Sequence, residues 1–139
     1  MKPITGFVPY LHVKDVLASQ AFYERFGLTL DSRFGPEGAP YWARMKAPNC
    51  DLMLASADAP IDPRSQAALF YLYIEDVAAF REYLVSSGLE DGGAFEGEGT
   101  DDFPRCGKVF AVTNPFYMPA GEIRVHDPDG YVLLVGQLG

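Results

Sequence analysis

Cysteine is scarce in this chain. The only two, Cys50 and Cys106, lack CxxC spacing, so neither a disulfide scaffold nor a structural zinc site has support, and two reduced thiols are the expectation. Basic residues are also few: 11 Lys and Arg stand against 19 Asp and Glu, giving a net charge of −8 and a pI near 4.6. Without a basic stripe, the chain is not expected to bind nucleic acid or an anionic membrane surface. No apolar run approaches the roughly 20 residues that span a bilayer. The opening MKPITGFVPYLHV has no long apolar region or small-residue cleavage site, and the expected location is therefore cytoplasmic. GxSxG, Walker A, GxGxxG and HExxH strings are all missing, so no catalytic motif can be named. What remains is a chain of 139 residues, 48% hydrophobic and 14% aromatic, enough for one compact folded domain.

Against these absences stands an internal repeat. YLHVKDVLASQAFYERFGL, from Tyr10 to Leu28, returns 61 residues later as YLYIEDVAAFREYLVSSGL, from Tyr71 to Leu89. Seven of the nineteen positions are identical, among them Asp15/Asp76 and Gly27/Gly88. Each copy reads as an alternating strand, an aspartate that caps a helix, the helix, and a glycine suited to a left-handed C-cap. Two copies are too few for a solenoid, so two modules are expected, with a site between them.

Strand signals fill in the rest of each module. In Phe7–Val13, the residues Val8, Tyr10 and His12 share one face, opposite Leu11 and Val13. Leu28–Phe34, Tyr41–Met45 and Asp51–Ala55 read as three further strands, and Ala55–Gln66 as a linker. The second copy has a strand at Leu69–Ile74 and a helix at Asp76–Ser87. The glycine- and acid-rich Gly88–Gly107 follows, expected to be a long mobile loop. Lys108–Thr113, Glu122–Val125 and Tyr131–Gly136 are expected to close the module, the last two joined by the turn Asp127–Gly130.

In their order and spacing, HVKDVLASQAFYERFGLTL, LYIEDVAAFREYLVSSGL and EIRVHDPDGYVLLVGQ resemble the glyoxalase, bleomycin-resistance and extradiol-dioxygenase superfamily, the vicinal oxygen chelate proteins. The resemblance covers almost the whole chain. It implies an α+β fold in which two repeated βαβββ modules form a curved mixed sheet around a cleft. The modules would be about 4–57 and about 67–139 of a single domain, often assembled as a homodimer. It also implies four strand positions that carry His, Gln or Glu in the metal-dependent members. Here those positions fall on Val8, Met53, Leu69 and Leu134, all apolar, so no metal cofactor is expected. The pattern is most similar to metal-free bleomycin-resistance-like members, which bind rather than transform their ligands.

For such a binder, aromatic side chains supply broad contact area and a few polar groups fix orientation. The candidate ligand-binding residues are Tyr10, His12, Trp42, Tyr71, Tyr73, Phe110, Tyr117, Glu122 and Arg124, and the ligand would be a small aromatic or cationic compound. Each aromatic could instead belong to the core. His126, just before the turn, is read as turn-stabilising, and Glu122 with Arg124 as an ion pair within the protein. Asp15 and Asp76 are read as helix caps. Two other classes remain in view. One is an enzyme with a displaced metal site at His12, Glu122 and His126; the other is an interaction module whose cleft is filled by its own side chains.

Overall fold

The computed structural model describes residues 1–97 and 106–139. The chain divides into two compact units, Met1–Ile61 and Asp62–Gly139, and the boundary falls inside the segment read as a linker. Both units are built from strands and one helix, giving the expected α+β class.

The first unit contains β1 (Tyr10–Val13), α1 (Val16–Glu24), β2 (Thr29–Phe34), β3 (Trp42–Ala47) and β4 (Cys50–Ser56). Its sheet runs β1-β4-β3-β2, with β1 parallel to β4 and the other pairs antiparallel. Asp15 caps α1 by accepting from the backbone N–H groups of Leu17 (3.0 Å) and Ala18 (3.2 Å), two donors that have no partner inside the helix. Strand alternation puts Leu11, Val13, Met45 and Leu54 on the face that receives Val16 and Phe22 of α1, and all six are buried.

The second unit repeats the plan with β5 (Leu69–Tyr73), α2 (Val77–Ser86), β6 (Glu90–Asp91), β7 (Lys108–Val109), β8 (Glu122–His126) and β9 (Val132–Gly136). The sheet order is β5-β9-β8-β7-β6, in which β5 lies parallel to β9 as β1 does to β4. Asp76 caps α2 through the Ala79 N–H at 3.1 Å. Val77, Leu84, Val109, Ile123, Val125, Leu133 and Val135 form the core on one face of the sheet. Gly27 and Gly88 end the two helices with φ of 87° and 115°, the left-handed region that side chains avoid.

Three local features differ from the sequence expectations. The loop read across Gly88–Gly107 begins as strand β6. Its Asp91 meets Arg81 of α2 at 2.5 Å, and Lys108 of β7 meets Glu90 at 3.2 Å. These charged contacts tie two polar residues to the sheet edge, which local hydropathy could not show. Residues 98–105 of that loop lie outside the described residues. The strand read at Lys108–Thr113 is two residues long, followed by a single bridge between Thr113 and Glu122. Within the linker, Pro63–Ser65 forms a short 3₁₀ turn capped by Asp62, which accepts from the Arg64 N–H.

The turn joining β8 to β9 is built as the sequence suggests. Asp127 accepts from the N–H groups of Asp129 and Tyr131, both at 2.9 Å, and Gly130 has φ of 87°. A Cβ at Gly130 would lie 2.6 Å from the carbonyl oxygen of Pro63, so this glycine also lets the linker lie flat on the turn.

Candidate functional site

In each unit the helix covers one face of the sheet, and the candidate residues lie on the other. In the first unit this face carries Tyr10 and His12 of β1, Met53 and Ala55 of β4, and Arg44 and Trp42 of β3, joined by the register Tyr10–Met53–Arg44 and His12–Ala55–Trp42. Tyr10 is 55% exposed and stands edge-on to the His12 ring, with centroids 5.8 Å apart. Trp42 is half-buried opposite Phe34. Arg44 reaches Asp51 at 2.6 Å, and its buried Nε has no acceptor among the described residues.

The equivalent rows of the second unit are Tyr71–Leu134–Arg124 and Tyr73–Gly136–Glu122. Glu122 is 6% exposed. Its carboxylate accepts the hydroxyl hydrogen of Tyr71 on one oxygen, and that of Tyr117 on the other at 3.1 Å. Gly136, directly opposite Glu122, makes the first contact possible: a Cβ there would come within 3.0 Å of the Tyr71 hydroxyl and of the Met118 thioether. Burial, and then the hydrogen bond and charge of Glu122, raise the Tyr71 phenol well above its ordinary value, and the same causes raise Tyr117. The Tyr71 and Tyr73 rings lie 5.4 Å apart, and Tyr73 and Tyr117 are 62% and 53% exposed. A buried carboxylate edged by three phenol rings results, and neither of its two donors carries a charge.

Glu122 and Arg124 do not form the ion pair expected of them. Both project from the same face of β8, but Glu122 turns toward the two tyrosines while Arg124 runs the other way. The Arg124 Nε donates to His126 Nε2 at 3.0 Å, and its guanidinium lies 4.1 Å from the centre of the Phe95 ring. His126, read from sequence as a turn residue, is 3% exposed and stacks edge-on with Phe110 and Phe95. Phe110 is buried at 6% exposure, and its carbonyl accepts from Arg81 Nε. Phe95 escaped sequence analysis because it lies in a glycine-rich segment without periodicity; an aromatic among acids and glycines was the only signal.

The four metal positions implied by the resemblance retain their apolar side chains here. Val8 precedes β1, Met53 lies in β4, Leu69 opens β5 and Leu134 lies mid-β9. Valine and leucine have no donor atom, and one thioether does not hold a hard divalent cation. Among the described residues no group of three or more His, Cys, Asp or Glu converges, and His126 Nε2 is already an acceptor for Arg124. These four positions therefore do not supply the metal ligands that the resemblance implies. Among the described residues, no helix is long and apolar enough to cross a membrane.

Over 98% of its length the chain superimposes on all of a bleomycin-binding protein solved in complex with bleomycin (21% identity, TM-score 0.69). A bleomycin resistance determinant encoded on the transposon Tn5 matches at 21% identity with TM-score 0.70, over 96% of this chain and 98% of that one. An antibiotic-binding protein from Streptomyces sp. CB03234 matches over the full length of both at 19% identity, with TM-score 0.66. These likenesses establish the fold. No curated sequence matches the chain. A family model covers residues 6–135, and by that match the chain belongs to the glyoxalase/bleomycin resistance protein/dioxygenase superfamily.

Proposed function

We propose that this protein binds a small cationic, aromatic compound and sequesters it without a metal and without turning it over. The observation that carries this reading is Glu122, a buried carboxylate whose two hydrogen bonds come from neutral phenols, on a face bearing the exposed rings of Tyr73 and Tyr117. A carboxylate has about four lone-pair sites, so an ammonium or guanidinium group can join the two phenols there, and tyrosine faces attract cations further. The overall charge of −8 favours the approach of such a ligand. The apolar residues at the metal positions and the antibiotic-binding proteins among the structural neighbours support binding over catalysis.

The same reading takes the protein as a cytoplasmic homodimer; light scattering on the purified chain tests the dimer, and cell fractionation tests the location. The functional test is calorimetric titration of tag-free protein with bleomycin, the compound held by one neighbour, together with elemental analysis. Saturable binding of unaltered compound by metal-free protein, weakened about 10- to 100-fold in Glu122→Gln as expected for a charge-assisted hydrogen bond, supports the reading. Stoichiometric metal that disappears in His12→Ala would instead select the enzyme with a displaced metal site.

A further inference from the structure

The face that carries Glu122 continues one row beyond it. Tyr73 and Gly136 share the row of Glu122, and Glu75 and Leu138 follow them by two residues, the step that returns an extended chain to the same face. The intervening Gln137 fixes the direction: its side-chain oxygen accepts from the Val77 N–H at the start of α2, on the helix-covered side. Tyr73, Ile74, Glu75 and Leu138 line an open pocket of about 230 Å³. The one charged group among them, the exposed carboxylate of Glu75, forms no ion pair among the described residues.

Tyr73 links this pocket to the buried carboxylate. Its ring lies 5.4 Å from that of Tyr71, whose hydroxyl donates to Glu122, and it is also a wall of the pocket. β5 and β8 are separated by β9 alone. At about 5 Å per strand and about 7 Å for two residues along a strand, the Cα atoms of Glu122 and Glu75 stand roughly 12 Å apart. Two glutamate side chains leaning inward across that distance leave room for one ring with a short arm at each end. We propose that the ligand of the Glu122 face is a dication, an aromatic ring with a cationic arm on either side. One arm joins the phenols at Glu122, the ring lies against Tyr73 beside Ile74 and Leu138, and the second arm meets Glu75. This deepens the function proposed above and rests on it. Tyrosine offers a flat contact surface, and a pocket of this volume takes at least one benzene-sized ring. The two ends are unequal, because Glu122 is buried and Glu75 is open to water.

The probes are p-xylylenediamine, a dication at pH 7, and 4-methylbenzylamine, a monocation of the same outline, each titrated calorimetrically into the full chain. The diamine is expected to bind about four- to tenfold more tightly; its two equivalent ends supply about twofold and the exposed second ion pair supplies the rest. Glu75→Gln is expected to reduce the difference to the twofold of the equivalent ends. Glu24→Gln, which removes the same charge from the exposed side of α1, is expected to preserve it. A monoamine that binds and is weakened by Glu122→Gln, with a diamine no more than twofold better, would overturn the dication and leave the reading of Glu122 standing. A preference that survives Glu75→Gln, or that Glu24→Gln abolishes equally, would overturn it as well. If neither amine binds saturably, the reading of Glu122 fails and the dication with it. Glu75 is exposed, so its substitution leaves the core of the unit intact.

Discussion

The first unit places Trp42 where the second places Glu122, and Ala55 where the second has Gly136. On the helix-covered faces the copies have kept one chemistry: the aspartate caps, the glycine ends of the helices and an apolar sheet face beneath each helix. On the opposite faces they have parted. One copy matches its arginine to an aspartate of its own and sets an indole in the next row; the other buries a carboxylate under two phenols and holds its arginine against aromatic rings. Duplication supplies two scaffolds at once, and only the face that is not needed for folding is then free to change chemistry.

The largest effects should fall where the copies agree. Leu54→Ala in the first unit and Ile123→Ala in the second each remove a fully buried side chain from beneath a helix. Each is expected to cost about 2–5 kcal/mol, read from the midpoint of urea denaturation at constant slope. A cost near zero for either would show that the two helix-covered faces are not equivalent.

Glu122→Gln probes the face where they differ. The substitution keeps the shape while removing the charge, and the expected outcome is a 10- to 100-fold loss of affinity for a cationic ligand. Folding should persist because the amide oxygen can still accept from one tyrosine. Trp42→Phe, at the matching position of the first unit, is expected to change that affinity far less. Equal losses would mean that the two faces contribute alike, and the comparison would fail.

Much of this comparison was legible in the sequence. Asp15 and Asp76, Gly27 and Gly88, and the turn at Asp127–Gly130 act through neighbours a few residues away, so the repeat alone displayed them. Alternation likewise separated Leu11 and Val13 from Tyr10 and His12. Glu122 was visible as a candidate, but its partner Tyr71 lies 51 residues earlier, and nothing local announces which of several tyrosines will reach it. Arg124 was assigned to Glu122 on spacing alone, because strand alternation reports the face a side chain shares and not the direction in which it bends. The role of Phe95 and the strand at Glu90–Asp91 rest on contacts with Arg124, Arg81 and Lys108, and such contacts appear only once the sheet has assembled.

Tyr71→Phe should remove a hydrogen bond to a charged group, worth about 1.5–3 kcal/mol, and it carries a pH signature. The folded phenol is raised above its ordinary value by burial and by Glu122. As pH rises past about 10, Tyr71 of the unfolded chain ionises while that of the folded chain keeps its proton. The unfolded state then binds fewer protons, so this contribution to stability is complete below that pH and declines above it. Denaturation midpoints collected across the alkaline range should fall less steeply in Tyr71→Phe than in the parent chain. The counterpart Tyr10, exposed beside His12, has no carboxylate in its row, so this signature belongs to the second copy's pairing of Tyr71 with Glu122.

The smallest effect is expected at Asp51→Asn. Its bridge to Arg44 is short, but the two side chains are 28% and 30% exposed, and pairs with such access to water contribute at most about 1 kcal/mol. The change should lower stability by no more than that in dilute buffer and by less in high salt, where the pair is screened. A loss of several kcal/mol that salt does not reduce would mean that Asp51 compensates Arg44 as a buried charge. The first copy would then depend on its built-in carboxylate for folding, while the second folds with a valine at the same position.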